Sequence, residues 1–351
     1  MNYTINIDDA IAELDRFDAL LDVRSPGEFA EDHLPGAQNW PVLDDEERRV
    51  VGTLYKQDPH AGRRLGATLV ARNVARLLEE RTADLPKTWR PLVYCWRGGQ
   101  RSLSLHWFLG QIGFRSRQLV GGYKAYRAQV RDDLEQRPAD FRYRVLCGLT
   151  GCGKTRLLQA LAAEGAQVLD LEGLAAHRGS VLGHLPDRPQ PTQKGFDTAL
   201  WVTLRQLDPA RPVFVESESR KIGRIALPAA LLAALHGQGR PLWIDLPEAA
   251  RVELLLQDYA HFAAAPEAFC AALEDLVELR GRARVAAWAA QARSGDWAGV
   301  FTALMREHYD PGYAASLQRH FPAVAGTAPL QLADARPDTL RDAARHLIAT
   351  A

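Results

Sequence analysis

The stretch "GLTGCGKT", residues 148–155, constrains the fold of this chain more than any other. It fits G-x-x-x-x-G-K-[ST], follows an apolar run, "RVLC", and opens a helix-forming run, "RLLQALAAEG". A strand must deliver such a loop and a helix must receive it before its backbone amides can cradle a diphosphate at the positive end of the helix. The pattern therefore predicts a parallel α/β sheet with Gly148, Gly151, Cys152, Gly153, Lys154 and Thr155 as diphosphate-binding residues. Lys154 would reach toward the outer phosphate, and Thr155 could carry Mg²⁺. Cys152 reads as a small residue inside the loop. The chain has no N-K-x-D motif and nothing that specifies adenine, so the loop alone does not license an NTPase.

Further polar groups follow predicted strands on the same side, where α/β sheets bind ligands. "VLDLEG" offers Asp170 and Glu172, and "AHRGSVLG" offers His177, Arg178 and Ser180. "VFVESESRKIGR" offers Glu216, Glu218, Arg220, Lys221 and Arg224. Three apolar residues before Glu216 resemble a Walker-B strand with Glu in place of Asp. Each charged residue taken alone fits a solvated loop equally well; their clustering after strands argues for an auxiliary site. "GRPLWIDLP" (239–247) predicts one more strand. Beyond 248, apolar residues at i, i+3, i+4 spacings predict a mostly helical region.

A second α/β pattern precedes this one. "ALLDVRS" (19–25) and "PLVYCW" (91–96) read as buried strands. "PGEFAEDHLPGAQNWP" reads as a helical turn and loop, and "SLSLHWFLGQIGF" (102–114) as an amphipathic helix. "RQLVGGYKAYRAQVRDDLEQ" reads as a short strand, a glycine turn and a closing helix. The polar, proline-bearing "QRPADFR" (136–142) marks the boundary. The expected organisation is an N-terminal α/β domain over 1–135 and a P-loop α/β domain with a helical C-terminal extension over 142–351.

Between strand and helix in the first domain lies "YCWRGGQRS", residues 94–102. Glycines 98 and 99 let the loop curl, and the following helix start favours an anion. A thiol in such surroundings reacts as the thiolate and can carry sulfur or selenium. Cys95 is the candidate catalytic residue with Arg97 and Arg101, and Gly98, Gly99, Gln100 and Ser102 complete an anion loop. A structural cysteine in a glycine-rich turn is the plain alternative. Cys95 to Arg101 also fits the C-x5-R loop of cysteine phosphatases, although Tyr94, not His, precedes the cysteine.

"LLDVRSPGEFAEDHLPGAQNWP" resembles the N-terminal half of a rhodanese domain through Asp22, Arg24, Glu28, His33, Pro35 and Gly36, and "LVGGYKAYR" resembles its end. His33 reads as a structural loop residue. The whole chain, through "CWRGGQRS", "GLTGCGKT", "DLEGLAAHRGSVLG" and "ESESRKIG", resembles the bacterial tRNA 2-selenouridine synthases. That resemblance implies geranylation of a wobble 2-thiouridine in the tRNA anticodon stem-loop by geranyl diphosphate. Replacement of the geranylthio group by selenium from selenophosphate would follow. It implies these two co-substrates, no tightly bound cofactor, and a selenophosphate-producing enzyme as a partner. An ATP-dependent tRNA sulfurtransferase and a rhodanese-type sulfur relay are the alternatives.

Composition narrows the partners. Lys+Arg and Asp+Glu both number 43, so a nucleic acid must be held by a local basic patch. "EERRVV", "AGRRLG" and "LRGRARV" are candidate tRNA-contact patches, although runs of this kind are more often ordinary solvated faces. Four cysteines with no CxxC pair argue against a disulfide framework or structural zinc and for a reducing cytoplasm. The N-terminus lacks a secretory h-region, and no apolar run is long enough for a membrane span.

Overall fold

The computed structural model describes residues 3–351. The chain divides into two compact units, Met1–Asp133 and Leu134–Ala351.

In the first unit, β1 (Thr4–Ile5), β2 (Ala19–Asp22), β3 (Ala37–Asn39), β4 (Pro91–Tyr94) and β5 (Arg117–Leu119) form a parallel sheet in the order β1-β5-β4-β2-β3. Every residue of β2 and β4 is buried, as expected of central parallel strands covered on both faces. Their register sets Leu21 opposite Val93 and Asp22 opposite Tyr94. Leu21, Val74, Val93, Leu105 and Leu109 lie in one core cluster. Below the end of β2, Arg24 and Asp22 form a fully buried ion pair, with Nη2 donating to Asp22 Oδ2 at 2.6 Å and to the Asp32 carbonyl at 2.6 Å. The Arg24 guanidinium also lies 3.7 Å from the Tyr123 ring centre. His33 sits in the neighbouring loop, bonded through Nδ1 to the Phe29 carbonyl, in keeping with a structural role.

The strand-and-loop reading of the first unit passed over a helical hairpin, Asp45–Gln57 and Pro59–Arg81. Its local signals are caps together with apolar residues at helical spacing, Val70, Val74 and Leu77. Asp44 closes a capping box with Glu47, and Asp58 accepts from the amides of His60 and Ala61 beside Pro59 at the first helical position.

In the second unit, β6 (Tyr143–Cys147), β7 (Gln167–Leu169) and β8 (Val213–Glu216) are followed by a small antiparallel hairpin, β9 (Lys221–Ile222) and β10 (Ile225–Ala226). With β11 (Arg240–Asp245) and β12 (Leu330–Gln331) the main sheet is parallel in the order β12-β11-β6-β8-β7. The helices Lys154–Ala163 and Pro337–Ala349 pack together, bringing Leu157, Leu161, Ala344 and Leu347 into one cluster with Leu146, Phe214 and Ile244. The region after 248 is mostly helical, as its periodicity predicts, and β12 alone returns to the sheet. A second cluster, with Phe269, Trp288, Val300 and Phe301 at its centre, unites these helices. There, a π-turn over Met305–Tyr309 joins the helices Trp297–Leu304 and Asp310–His320 without a loop.

Candidate functional sites

Each unit places its candidate site at the carboxyl ends of its parallel strands. Cys95 follows β4 directly and is buried. Its Sγ accepts from the Gly99 amide at 3.2 Å and lies 3.2 Å from Ser102 Oγ. Gln118 Nε2 donates to Ser102 Oγ at 2.8 Å and to the Gly98 carbonyl at 2.9 Å, fixing both walls of the loop. The helix Gln100–Ile112 begins with Gly99 as its N-cap. The glycine turn after β5 presses against this loop from outside. The Tyr123 amide donates to the Cys95 carbonyl at 2.8 Å, and a Cβ on Gly122 (φ +54°) would lie 2.2 Å from that oxygen. "LVGGYK" and "YCWRGG" are thus two halves of one backbone contact.

The two loop arginines differ. Arg97 is exposed. Arg101 donates to Glu28 Oε2 at 3.0 Å, so its charge is already matched. Burial pushes the Glu28 carboxyl up, but the Arg101 guanidinium outweighs it and holds the group below the usual carboxylate range.

The basic runs 46–51 and 61–66 fall on the two helices of the 45–81 hairpin. There Arg48, Arg49, Lys56, Arg63 and Arg101 line an open cleft of about 1360 Å³, with Glu28 and Asp45 as its acidic members. The third run, 279–285, lies in the second unit.

In the second unit the phosphate loop joins β6 to the helix Lys154–Ala163. Gly153, the helix N-cap, has φ +82°, a left-handed conformation that favours glycine. Gly148 follows β6 and Gly151 has φ +75°. The Cys152 side chain turns into the core. Lys154 Nζ donates to the Gly148 carbonyl at 3.0 Å and sits 4.5 Å from the Tyr313 ring centre. Burial works against this ammonium, but Cys152, Tyr313 and Glu218 hold it above the usual lysine range. Tyr313 Oη donates to the Ser217 carbonyl at 2.8 Å. Thr155 Oγ1 donates to Glu172 Oε2 at 3.0 Å.

The predicted auxiliary residues separate into three groups. Glu172, His177, Arg178 and Glu218 line the cavity beside the loop, as does Asp170. Asp170 also caps the next short helix by accepting from the Gly173 amide. Glu216 is fully buried beneath: its Oε2 accepts from the Leu171 amide, while Oε1 has no partner. Arg220, Lys221 and Arg224 sit on or beside the β9–β10 hairpin and are exposed.

The carboxylates repel one another. Burial first, and then Glu172, pushes Glu218 up to about 8 against the pull of Lys154. Burial and the charges of Glu172, Asp170 and Glu218 hold Glu216 well above the carboxylate range. His177 is buried and is pushed down to about 4 by burial and by His184. Its Nδ1 accepts from the Gly179 amide at 3.1 Å, so it serves as a neutral anchor for the 177–184 turn.

This cavity encloses about 780 Å³. Two residues that build it left no local mark in the sequence. Arg251, buried, donates through Nε to the Thr150 carbonyl at 2.8 Å and through Nη2 to Asp310 at 2.6 and 2.8 Å. It clamps the phosphate loop to the start of the helix that carries Tyr313. Tyr259 stacks under Arg178, 5.3 Å from ring centre to guanidinium carbon, and its hydroxyl meets Ser180 Oγ at 3.2 Å.

Comparison with known proteins bears on both units. Residues 6–129 match the family model described as a rhodanese-like domain, and residues 141–276 match that of the tRNA 2-selenouridine synthase AAA domain. A protein of Nitrosomonas europaea named tRNA 2-selenouridine synthase is 38% identical over 263 residues, covering 74% of this chain and 68% of that protein. One of Alcanivorax borkumensis with the same name is 39% identical, covering 68% and 66%. One of Verminephrobacter eiseniae, again so named, is 37% identical over 335 residues, covering 85% and 89%.

Proposed function

The chain belongs to the tRNA 2-selenouridine synthase family, and from that premise we propose that it exchanges the sulfur of a wobble 2-thiouridine in tRNA for selenium. The exchange runs in two steps. The thiocarbonyl sulfur attacks C1 of geranyl diphosphate, the C1–O bond breaks, diphosphate leaves, and the base loses its N3 proton. The selenium of selenophosphate then attacks C2, the C2–S bond breaks and geranylthiol leaves with a proton, and water cleaves the Se–P bond to release phosphate and the 2-selenouridine. Alkylation is what makes the sulfur a competent leaving group.

One observation carries this reading: a single chain holds both a loop cysteine with two donors at its sulfur and a phosphate loop that opens on a cavity with charged residues on one side and aromatic and aliphatic residues on another. Lys154 and the loop amides take the diphosphate and stabilise its departing charge. Cys95 positions the selenium of the donor, while the amide end of the following helix and the exposed Arg97 hold its phosphate. Arg101 orients Glu28 and the loop. The cleft bearing Arg48, Arg49 and Arg63 is the tRNA-contact surface.

Among the described residues no group of three or more His, Cys, Asp or Glu is arranged to hold a metal by itself. Mg²⁺ does not require one, because it binds through one or two protein oxygens, phosphates and water. The Thr155 hydroxyl and the Glu172 carboxylate, which lie together beside the loop, are the donors that fit it. Among the described residues no helix is long and apolar enough to cross a membrane.

The test is mass spectrometry of wobble nucleosides from a deletion strain grown with selenite. Loss of both 2-selenouridine and its geranylthio precursor, with 2-thiouridine retained, is the expected result. Loss of 2-thiouridine itself would make the chain a sulfurtransferase instead.

A further inference from the structure

Two directions lead away from Lys154 inside the second unit's cavity, and they differ in chemistry. One passes Arg178, Arg188 and Arg280, with Asp258 beside them. The other follows the helix Asp310–His320. Tyr313, Ser316, Leu317, His320 and then Phe321 line the cavity, the i, i+3, i+4, i+7, i+8 series of one helical face. Leu317 and Phe321 are 6% and 5% exposed, and Leu254 joins them from the neighbouring helix. His236 closes the far end. It stacks on His320 at 4.4 Å and stands edge-on to Phe321 at 5.2 Å.

We propose that this face is the track for the hydrocarbon tail of an allylic diphosphate, with Tyr313 at its head and Phe321 with His236 at its end. The inference rests on the prenyl-transfer reading above and assigns its tail-binding residues. The head is fixed by the contact of Tyr313 with Lys154, which sets the ring where the tail leaves the diphosphate. At a rise of 1.5 Å per residue, Tyr313 to His320 spans about 10 Å, the scale of a geranyl chain and short of a farnesyl one. The lobe lined by Arg178, Arg188, Arg280 and Asp258 does not suit a tail, whereas this one presents Leu254, Leu317, Phe321 and the ring faces of Tyr313 and the two histidines. The ring of Tyr313 also offers its face to the positive charge that develops at C1 as the C1–O bond breaks.

The test uses the full chain and three probes: geranyl diphosphate, farnesyl diphosphate and inorganic diphosphate. Ser316 is exposed, so Ser316→Phe fills the track without disturbing the core. It should weaken geranyl diphosphate binding by about tenfold or more while inorganic diphosphate binds within about twofold of the parent. Phe321→Ala should move the preference from geranyl toward farnesyl diphosphate. If the parent protein geranylates tRNA but Ser316→Phe binds geranyl diphosphate normally, the tail lies elsewhere and this proposal falls alone. If the parent binds geranyl diphosphate no more tightly than inorganic diphosphate, the track is refuted while the anion site stands. If the parent binds geranyl diphosphate through this face yet geranylates no tRNA, the track is upheld and the reaction assigned above is what fails.

Discussion

Replacing Glu218 by glutamine should make the protein more stable, and increasingly so as pH rises. In the folded chain this carboxyl sits among Glu172, Lys154 and Tyr313 and protonates at about 8 instead of 4.5. Below the unfolded value both states hold the proton and the residue contributes no pH dependence. Between the two values the folded chain keeps a proton that the unfolded chain releases, so stability falls with rising pH and levels off above about 8. Each unit of displacement corresponds to about 1.36 kcal/mol, which sets a ceiling near 5 kcal/mol. Water reaching the half-buried group and the mobility of its neighbours reduce this to about 1–2 kcal/mol. For a unit of this size that is a gain of about 2–8 °C in Tm at pH 8.5, shrinking to about a degree or less near pH 4.5. Thermal unfolding of parent and Glu218→Gln across that range measures it. An equal gain at both ends, or a loss at high pH, would refute the repulsion argument.

Cys95→Ala should abolish selenium incorporation while geranylated tRNA still forms and accumulates, read by nucleoside mass spectrometry. Lys154→Ala should lose geranylation by about two orders of magnitude or more, as expected for a cation at a departing oxyanion, yet recover selenation on pre-geranylated tRNA. Asp22→Ala should destabilise the first unit by about 3–5 kcal/mol in chemical denaturation, because it strands the Arg24 guanidinium in the core.

Much of this architecture is legible in short stretches, because each involves neighbours in sequence. β4 with its cysteine loop, β6 with its phosphate loop, and the helical periodicity after 248 all announce themselves within a dozen residues. The 45–81 hairpin is as local, declared by the caps at Asp44 and Asp58 and by Val70, Val74 and Leu77 at i, i+4, i+7, but a reading centred on strands and loops passes over it. The pairing of Arg101 with Glu28 spans 73 residues, and Arg251 reaches the phosphate loop across 101. No spacing rule encodes such contacts; they exist only once two sheets have set their loops. The same holds for Glu216, whose burial beneath the cavity separates it from Glu218 two residues later.

The π-turn at Met305–Tyr309 gives the unbroken helical run from Trp297 to His320 one residue more than regular winding would need. Each residue of an α-helix turns the chain by about 100°. Removing that extra residue would restore regular winding and keep Tyr313 on the Lys154 face, whereas a deletion in the regular turns at 297–304 would swing Tyr313 by about 100° away from the ammonium. Changes of length in those regular turns are therefore filtered by a lysine some 150 residues earlier in the chain, and the wide turn at 305–309 is where a single residue can be gained or lost without cost to that contact.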